Sequence, residues 1–436
     1  MDTVDTGRYA RLKKENERLL EEEIAQKKTV LSALPTEATI YFSKKCNLLC
    51  IKCFRNFPAM TASHADMPRE MFEGLAAELF PTLLRAETTL YGEPLMCSYW
   101  DRIVELFRHY GVMMHITTNG TLLTEEAIGR LNGVTDWLKV SFDACDRETY
   151  ESIHRGASFE VTVRNLKAFG RMKKKMTPEP CFRLGIVLMK RNIDALPRYI
   201  EFAKEVGADQ VETLGLVTYH PEFRKEELFD IPARANAAIA AAVATAKRLG
   251  IDLELGFTRV PSPDDGALPR VNSPAAPAEA GFRYLTGEIC HFFFHRPYIF
   301  GDGTVVSCGN CETKVMGSLR ERSFAGIWND ARYQEMRRAF YGGRSRWYDI
   351  CTRCICMNTT YDAATYRKDF GVARSEELPP RWQALNRRIP SVVRGVAPRR
   401  FKAFLKERVV RRGADPAPDG WGERAKGGSE KAEARR

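Results

Sequence analysis

ATIYFSKKCNLLCIKCFRN, residues 38–56, sets a short β-branched and aromatic run against three cysteines packed into eight positions. The run reads as a buried strand, and Cys46, Cys50 and Cys53 fall in the loop that leaves it. The same grammar continues along the chain. Strand patterns recur at 87–92, 113–119, 137–143, 182–189 and 211–216, and helical patterns near 68–80, 97–109, 124–131, 160–174, 194–206 and 231–248. Six strands, each followed by a crossover helix, make a parallel α/β sheet curved into a barrel or part of one. Chemistry in such sheets sits at the carboxyl ends of the strands, which is where the three thiols stand.

The 436 residues, 44% hydrophobic, can bury one large core and a smaller unit. The N-terminal stretch lacks an apolar signal region and no run of about 18 apolar residues occurs, so a cytoplasmic protein is expected. Thiols stay reduced there, and grouped cysteines point to metal or reactivity rather than disulfides. Nine of the twelve cysteines fall in two groups, Cys46, Cys50 and Cys53, then Cys290, Cys308, Cys311, Cys351, Cys354 and Cys356. Cys97, Cys145 and Cys181 are scattered and read as buried structural thiols.

Composition divides the chain further. Residues 1–35 read as a charged helix over 7–33 closed by Pro35, residues 36–257 as the sheet with its helices, and 258–283 as a proline-rich linker. A further strand pattern lies at 250–256. Residues 284–360 form a second unit whose thin core points to metal as part of its fold. A helical basic segment at 361–412 and a disordered tail at 413–436 finish the chain. Of the net charge of +11, most sits between Arg387 and Arg412, where ten Lys or Arg face one acid, Glu407. General nucleic-acid affinity is therefore unsupported, and a polyanion or membrane surface would be met by this one segment. It suits a peripheral helix on anionic lipid, and equally a helix docked on the protein with its charged face in water.

The trio admits three readings. Positions i, i+4 and i+7 share one helix face and could be core thiols. A zinc site needs a fourth ligand, and no His or Cys lies close by in sequence. Three thiolates can also hold three irons of a 4Fe-4S cluster and leave the fourth iron open. The spacing Cys46-x3-Cys50-x2-Cys53 resembles that of the radical S-adenosylmethionine (SAM) enzymes. The resemblance implies that SAM chelates the open iron and that one electron cleaves it to methionine and a 5′-deoxyadenosyl radical. Lys52 departs from the pattern, which often has an aromatic residue there. Gly92, Glu93 and Pro94 look like the family's Gly-Gly-Glu-Pro element for the SAM amino group, with Tyr91 in place of the first glycine. A glycine turn lets carbonyls approach an ammonium, and the carboxylate can orient the turn. Thr118-Asn119-Gly120 resembles a second common element. Residues 140–157 look like the family's fourth strand and its loop, which implies that Ser141 and Asp143 meet the SAM ribose or carboxylate and that Arg155 pairs with the carboxylate. Glu212 is either a pocket contact or a satisfied polar group.

In the second group, Asp302-Gly303 between two strand runs is a hairpin signal, which places Cys290 and Cys308 at the two ends of a hairpin. Cys351-x2-Cys354 adds a bidentate clip, and four such thiolates complete a cluster or a zinc site. The layout resembles the SPASM and shortened twitch extensions of radical SAM enzymes, which implies one auxiliary 4Fe-4S cluster on Cys290, Cys308, Cys351 and Cys354. Cys311 and Cys356 stay unassigned, as hydrogen donors to a substrate radical or as inert thiols. His291 and His295 read as packing residues.

The expected architecture is a partial (βα)6 TIM-like barrel capped by a small cysteine-rich iron-sulfur domain. The expected function is hydrogen-atom abstraction leading to dehydrogenation, epimerisation or a related modification, with a flavodoxin or ferredoxin as reductant. Only one helix precedes the barrel, which favours a carbohydrate-like small substrate over a peptide, as in a peptide-modifying maturase. A non-catalytic iron-sulfur or zinc protein, an electron carrier or a binding module, is the reading of another class; the Glu93-Pro94 and Ser141-x-Asp143 elements speak against it.

Overall fold

A computed structural model describes residues 6–53, 65–88, 92–216, 225–256, 260, 285–286, 289–308 and 315–342. Helix α1 (Thr6–Ala25) opens the chain. It is shorter than the expected 7–33 and Pro35 does not end it. The Glu23 carboxylate accepts from Ser32 N at 3.1 Å and Ala33 N at 3.0 Å, and Lys27 takes a φ of 56°, so the chain turns back at Ala25.

The alternation then runs as the sequence predicts. In order come β1 (Glu37–Ile40), α2 (Arg69–Leu79), β2 (Arg85–Glu87), α3 (Trp100–Tyr110), β3 (Met113–Thr118), α4 (Glu125–Leu131) and β4 (Trp137–Ser141). They are followed by α5 (Arg147–Ile153), α6 (Phe159–Met172), β5 (Cys181–Leu188), α7 (Leu196–Val206), β6 (Gln210–Gly215), α8 (Pro232–Leu249) and β7 (Asp252–Leu255). Side-chain caps set several helix starts: Thr124 Oγ1 accepts from Ala127 N, Asp146 Oδ1 from Thr149 N and Ser158 Oγ from Val161 N.

The later elements are β8 (Leu285–Thr286), β9 (Ile289–Cys290), α9 (His291–His295), β10 (Tyr298–Ile299), β11 (Thr304–Val306), β12 (Val315–Ser318), α10 (Phe324–Trp328) and α11 (Ala331–Tyr341). Asp302-Gly303 does make the turn between antiparallel β10 and β11, with Gly303 at φ 88°. Cys290 is not part of that hairpin. It ends β9, which pairs with β8 in a separate two-stranded sheet, and α9 intervenes before β10.

One ten-stranded sheet holds the fold together, in the order β12-β11-β10-β1-β2-β3-β4-β5-β6-β7, parallel from β10 to β7 and open at both edges. The late hairpin thus joins the main sheet, Thr39 facing Tyr298 across β1 and β10. Its neighbours follow: Phe324, Ile327 and Trp328 are fully buried in the main core, and Trp328 Nε1 donates to Ala33 O at 3.0 Å. The described part of 284–360 therefore shares the large core instead of relying on a thin one of its own. On the helix-covered face, Leu138, Val140, Leu184 and Ile186 are buried, each contributing roughly 1.5–3 kcal/mol. The alternate residues Lys139, Ser141, Arg183 and Glu212 lie on the other, polar face and are partly open. Among the described residues no helix is long and apolar enough to cross a membrane.

Candidate active site at the strand ends

Past β1 the chain runs through buried Tyr41 and Phe42 into the cysteine loop. Asp66 fixes its first turn. It accepts from Ser43 Oγ and Lys45 Nζ, both at 2.6 Å, and from Ser98 N and Oγ at 3.0 and 2.7 Å. The far side of the loop is stitched to the end of α5, Leu49 N donating to Arg155 O and Ile51 N to Ile153 O, each at 2.9 Å. Cys46, Cys50 and Cys53 are half-buried between these anchors.

The end of β2 lies against the same loop. Glu93 N donates to Lys45 O at 2.6 Å. Gly92 has φ +90°, and a Cβ there would sit 2.6 Å from Lys45 O and 2.8 Å from Ser43 O, so only glycine allows the approach. Glu93 is 1% exposed, and its carboxylate accepts from Thr118 Oγ1 and Asn119 N at 2.7 Å and from Leu95 N at 3.3 Å. It ties the ends of β2 and β3 together. Asn119 completes the junction, its Nδ2 lying 3.7 Å from Cys46 Sγ and 2.9 Å from Asn47 Oδ1. Three strand ends thus meet at Cys46.

Burial pushes the Glu93 carboxyl from its ordinary 4.5 up to about 7, against the three donors that favour the anion. A raised folded-state value means that the native chain holds a proton the unfolded chain has released, so this contribution to stability is full below pH 4.5 and lost as pH rises through about 7. Glu93→Gln is expected to remove that segment of the pH–stability profile, read as the difference between wild-type and variant melting temperatures at pH 5 and pH 8.

At the end of β4, Ser141 is half-buried, whereas Asp143 is fully buried with its carboxylate already engaged. Oδ1 accepts from Val187 N at 2.7 Å, while His154 Nε2 lies 2.7 Å from Oδ2 and Lys52 Nζ pairs with the same oxygen. Burial opposes ionisation of Asp143, but the Lys52 ammonium and His154 more than offset it and hold the carboxyl below the usual range. Lys52, where the family pattern often has an aromatic residue, thus turns inward to a carboxylate. His154 carries no spacing signal, and sequence reasoning missed it; its Nδ1 is 3.3 Å from Cys50 Sγ. Burial pushes the Cys50 thiol up to about 12. Arg155 is exposed, and Glu212 pairs with Lys139 at 3.0 Å. His295 packs in the interior, Nδ1 3.2 Å from Thr36 Oγ1.

Among the described residues no group of three or more His, Cys, Asp or Glu side chains is drawn together as around a single metal ion. Cys311, Cys351, Cys354 and Cys356 lie outside the described residues, as does the basic segment 387–412.

Residues 40–203 match the family model of the radical SAM superfamily, and residues 290–355 match that of the SPASM iron-sulfur cluster-binding domain. The chain carries a radical SAM domain followed by a SPASM domain. Such a chain carries a 4Fe-4S cluster with SAM, and its SPASM region adds auxiliary iron-sulfur binding. The donor set fits: three thiols share one loop, and a glycine turn without room for a side chain lies against it. The tungsten-containing aldehyde ferredoxin oxidoreductase cofactor-modifying protein of Pyrococcus furiosus is 27% identical over 328 residues, 72% of this chain and 85% of that one. The AdoMet-dependent heme synthase of Methanosarcina barkeri is 29% identical over 185 residues, and the match spans 47% of its length. Among solved structures, Streptococcus suis SuiB bound to S-adenosylmethionine superposes with a TM-score of 0.53 at 17% identity, covering 79% of this radical SAM chain and 76% of SuiB. Native anSMEcpe with bound AdoMet gives 0.52 at 14% identity, with 86% and 98% covered. At those identities the likeness is one of fold.

Proposed function

We propose that this chain is an enzyme that abstracts a hydrogen atom from a polar small molecule, in a reducing compartment such as the cytoplasm. The observation that carries the reading is the junction of three strand ends at Cys46, where the Gly92-Glu93-Pro94 turn and Asn119 close on the cysteine loop. Cys46, Cys50 and Cys53 are the ligands of the SAM-binding cluster. The turn offers backbone carbonyls to the SAM amino group, Glu93 and Thr118 hold it in shape, and Asn119, Ser141 and Arg155 border the remaining polar groups of SAM. Asp143 serves this site by orienting Lys52 and His154 from behind the loop. Cys290, Cys308, Cys351 and Cys354 hold an auxiliary cluster, with Cys311 and Cys356 as candidate hydrogen donors. When bound, these groups supply one-electron cleavage of a sulfonium and hydrogen-atom abstraction. The chain's part is to bind, orient and keep water out.

Two observations favour a polar small molecule. The open face of the sheet carries Lys139 paired with Glu212 at 3.0 Å and Arg183 with Glu254 at 3.6 Å, groups suited to hydroxyls and charges. A relative matched over 85% of its own length is named for modifying an enzyme's cofactor. The solved structure of SuiB bound to precursor peptide SuiA shares the fold at 18% identity, and a peptide is the alternative substrate class. The electron would come from a flavodoxin or ferredoxin.

Anaerobic reconstitution is expected to give roughly 8 irons per chain, as two 4Fe-4S clusters require. Addition of dithionite and SAM is expected to give 5′-deoxyadenosine. Roughly 4 irons would remove the auxiliary cluster. Zinc without iron would instead favour a non-catalytic binding protein, and clusters that bind no SAM a non-catalytic electron-transfer or binding protein.

A further inference from the structure

Behind the cysteine loop, Cys50, His154, Asp143 and Lys52 are connected in series. His154 Nδ1 lies 3.3 Å from Cys50 Sγ, and Nε2, across the ring, lies 2.7 Å from Asp143 Oδ2. Asp143 is held in turn by Val187 N at 2.7 Å on its other oxygen and by Lys52 Nζ, and Asn192 Nδ2 donates to its backbone carbonyl at 2.9 Å. Tyr150 stacks on the imidazole, centroids 4.7 Å apart with 25° between planes. The backbone agrees, because Ile51 N and Leu49 N pair with the carbonyls on either side of His154, those of Ile153 and Arg155. The ring cannot turn from Cys50 without breaking a buried contact to Asp143. His154 and Asp143 are 1% and 0% exposed, so water does not compete at Nδ1.

We infer that His154 is a positioning residue for the SAM-binding cluster: its Nδ1–H hydrogen-bonds the Cys50 sulfur and raises the cluster's reduction potential. This rests on Cys50 being a ligand, as proposed above. With iron on Sγ the sulfur is an acceptor, and Nδ1 is the ring atom turned towards it. Reduction adds negative charge that the cysteine sulfurs share, so a fixed donor aimed at one of them stabilises the reduced form. Asp143 supplies the orientation, as carboxylates do for histidines around metal sites. Lys52, in the position the family pattern often gives to an aromatic residue, provides the cation that lets the carboxylate sit there uncovered by water.

The test is a redox titration followed by electron paramagnetic resonance, read on the signal that changes when SAM is added, which separates this cluster from an auxiliary one. His154→Phe keeps the ring and removes the donor. It is expected to leave iron content unchanged and to give about tenfold less reduced cluster at a fixed ambient potential, a midpoint about 59 mV lower. His154→Asn places an amide nitrogen near the Nδ1 position and is expected to restore the midpoint. Equal midpoints in all three proteins, or equal shifts in both variants, would overturn the inference while leaving the cluster in place. Should His154→Phe fail to hold iron, His154→Leu takes its place as the donor-free variant and is read against wild type and His154→Asn in the same way. A Cys50→Ala chain that keeps its full iron and its SAM-sensitive signal would instead sink the ligand assignment beneath it.

Discussion

Replacing Cys46 with alanine is expected to remove roughly four of the roughly eight irons and to bring 5′-deoxyadenosine formation to background. The loss should exceed the 10–100-fold typical of changes in the outer partners of a metal ligand, because an iron loses its only protein bond. Cys46 is the most informative of the trio. It stands where β1, β2 and β3 meet, with Asn119 Nδ2 3.7 Å from its sulfur and the Gly92 turn against the backbone of the preceding residue, Lys45. The fold should survive, since Asp66 holds the loop through Ser43 and Lys45 and not through the thiol. Cys97→Ala serves as the control: that thiol is 5% exposed outside the loop, and its loss should leave iron and turnover intact. Iron and sulfide determination on the purified variants, with circular dichroism for the fold, makes the comparison. Full iron in Cys46→Ala would mean that the loop is not where the cluster sits.

How much of this was open to reading depends on the range of the interaction. The βα alternation was legible because each unit is local, and period-2 runs such as 137–141 and 181–188 fall within a residue or two of their expected bounds. The cysteine loop and the Gly92-Glu93-Pro94 turn were legible because the chemistry fixes both residue type and spacing. The neighbourhood of His154 was not. It reaches Cys50 across 104 positions, and nothing in the local pattern distinguishes it from a surface histidine. Pairing of β10 with β1 sets Thr39 opposite Tyr298, far along the chain, so the late hairpin looked like a separate unit. The premature end of α1 came from Glu23 accepting backbone amides ten residues on, which no helix propensity records.

Asp143→Ala is expected to destabilise the metal-free chain by about 3–5 kcal/mol, the range for breaking a buried ion pair from one side. Lys52 would keep its charge with a side chain only 15% exposed, and Val187 N would lose its acceptor. Adding Lys52→Met should recover at least about 1 kcal/mol, since removing both partners of such a pair is far less costly than removing one. Denaturant unfolding under reducing, metal-free conditions measures both, provided the m-values agree. The pH dependence carries the same logic. Asp143 is held below its ordinary 3.8, so its contribution is present above that value and is lost as pH falls below it; Asp143→Asn should lack this acid-side segment. If the double variant were no more stable than Asp143→Ala, the ammonium would not be what makes this carboxylate indispensable. The cost would then belong to the Val187 amide and the His154 ring, and Lys52 would be free to serve the face of the loop where SAM binds.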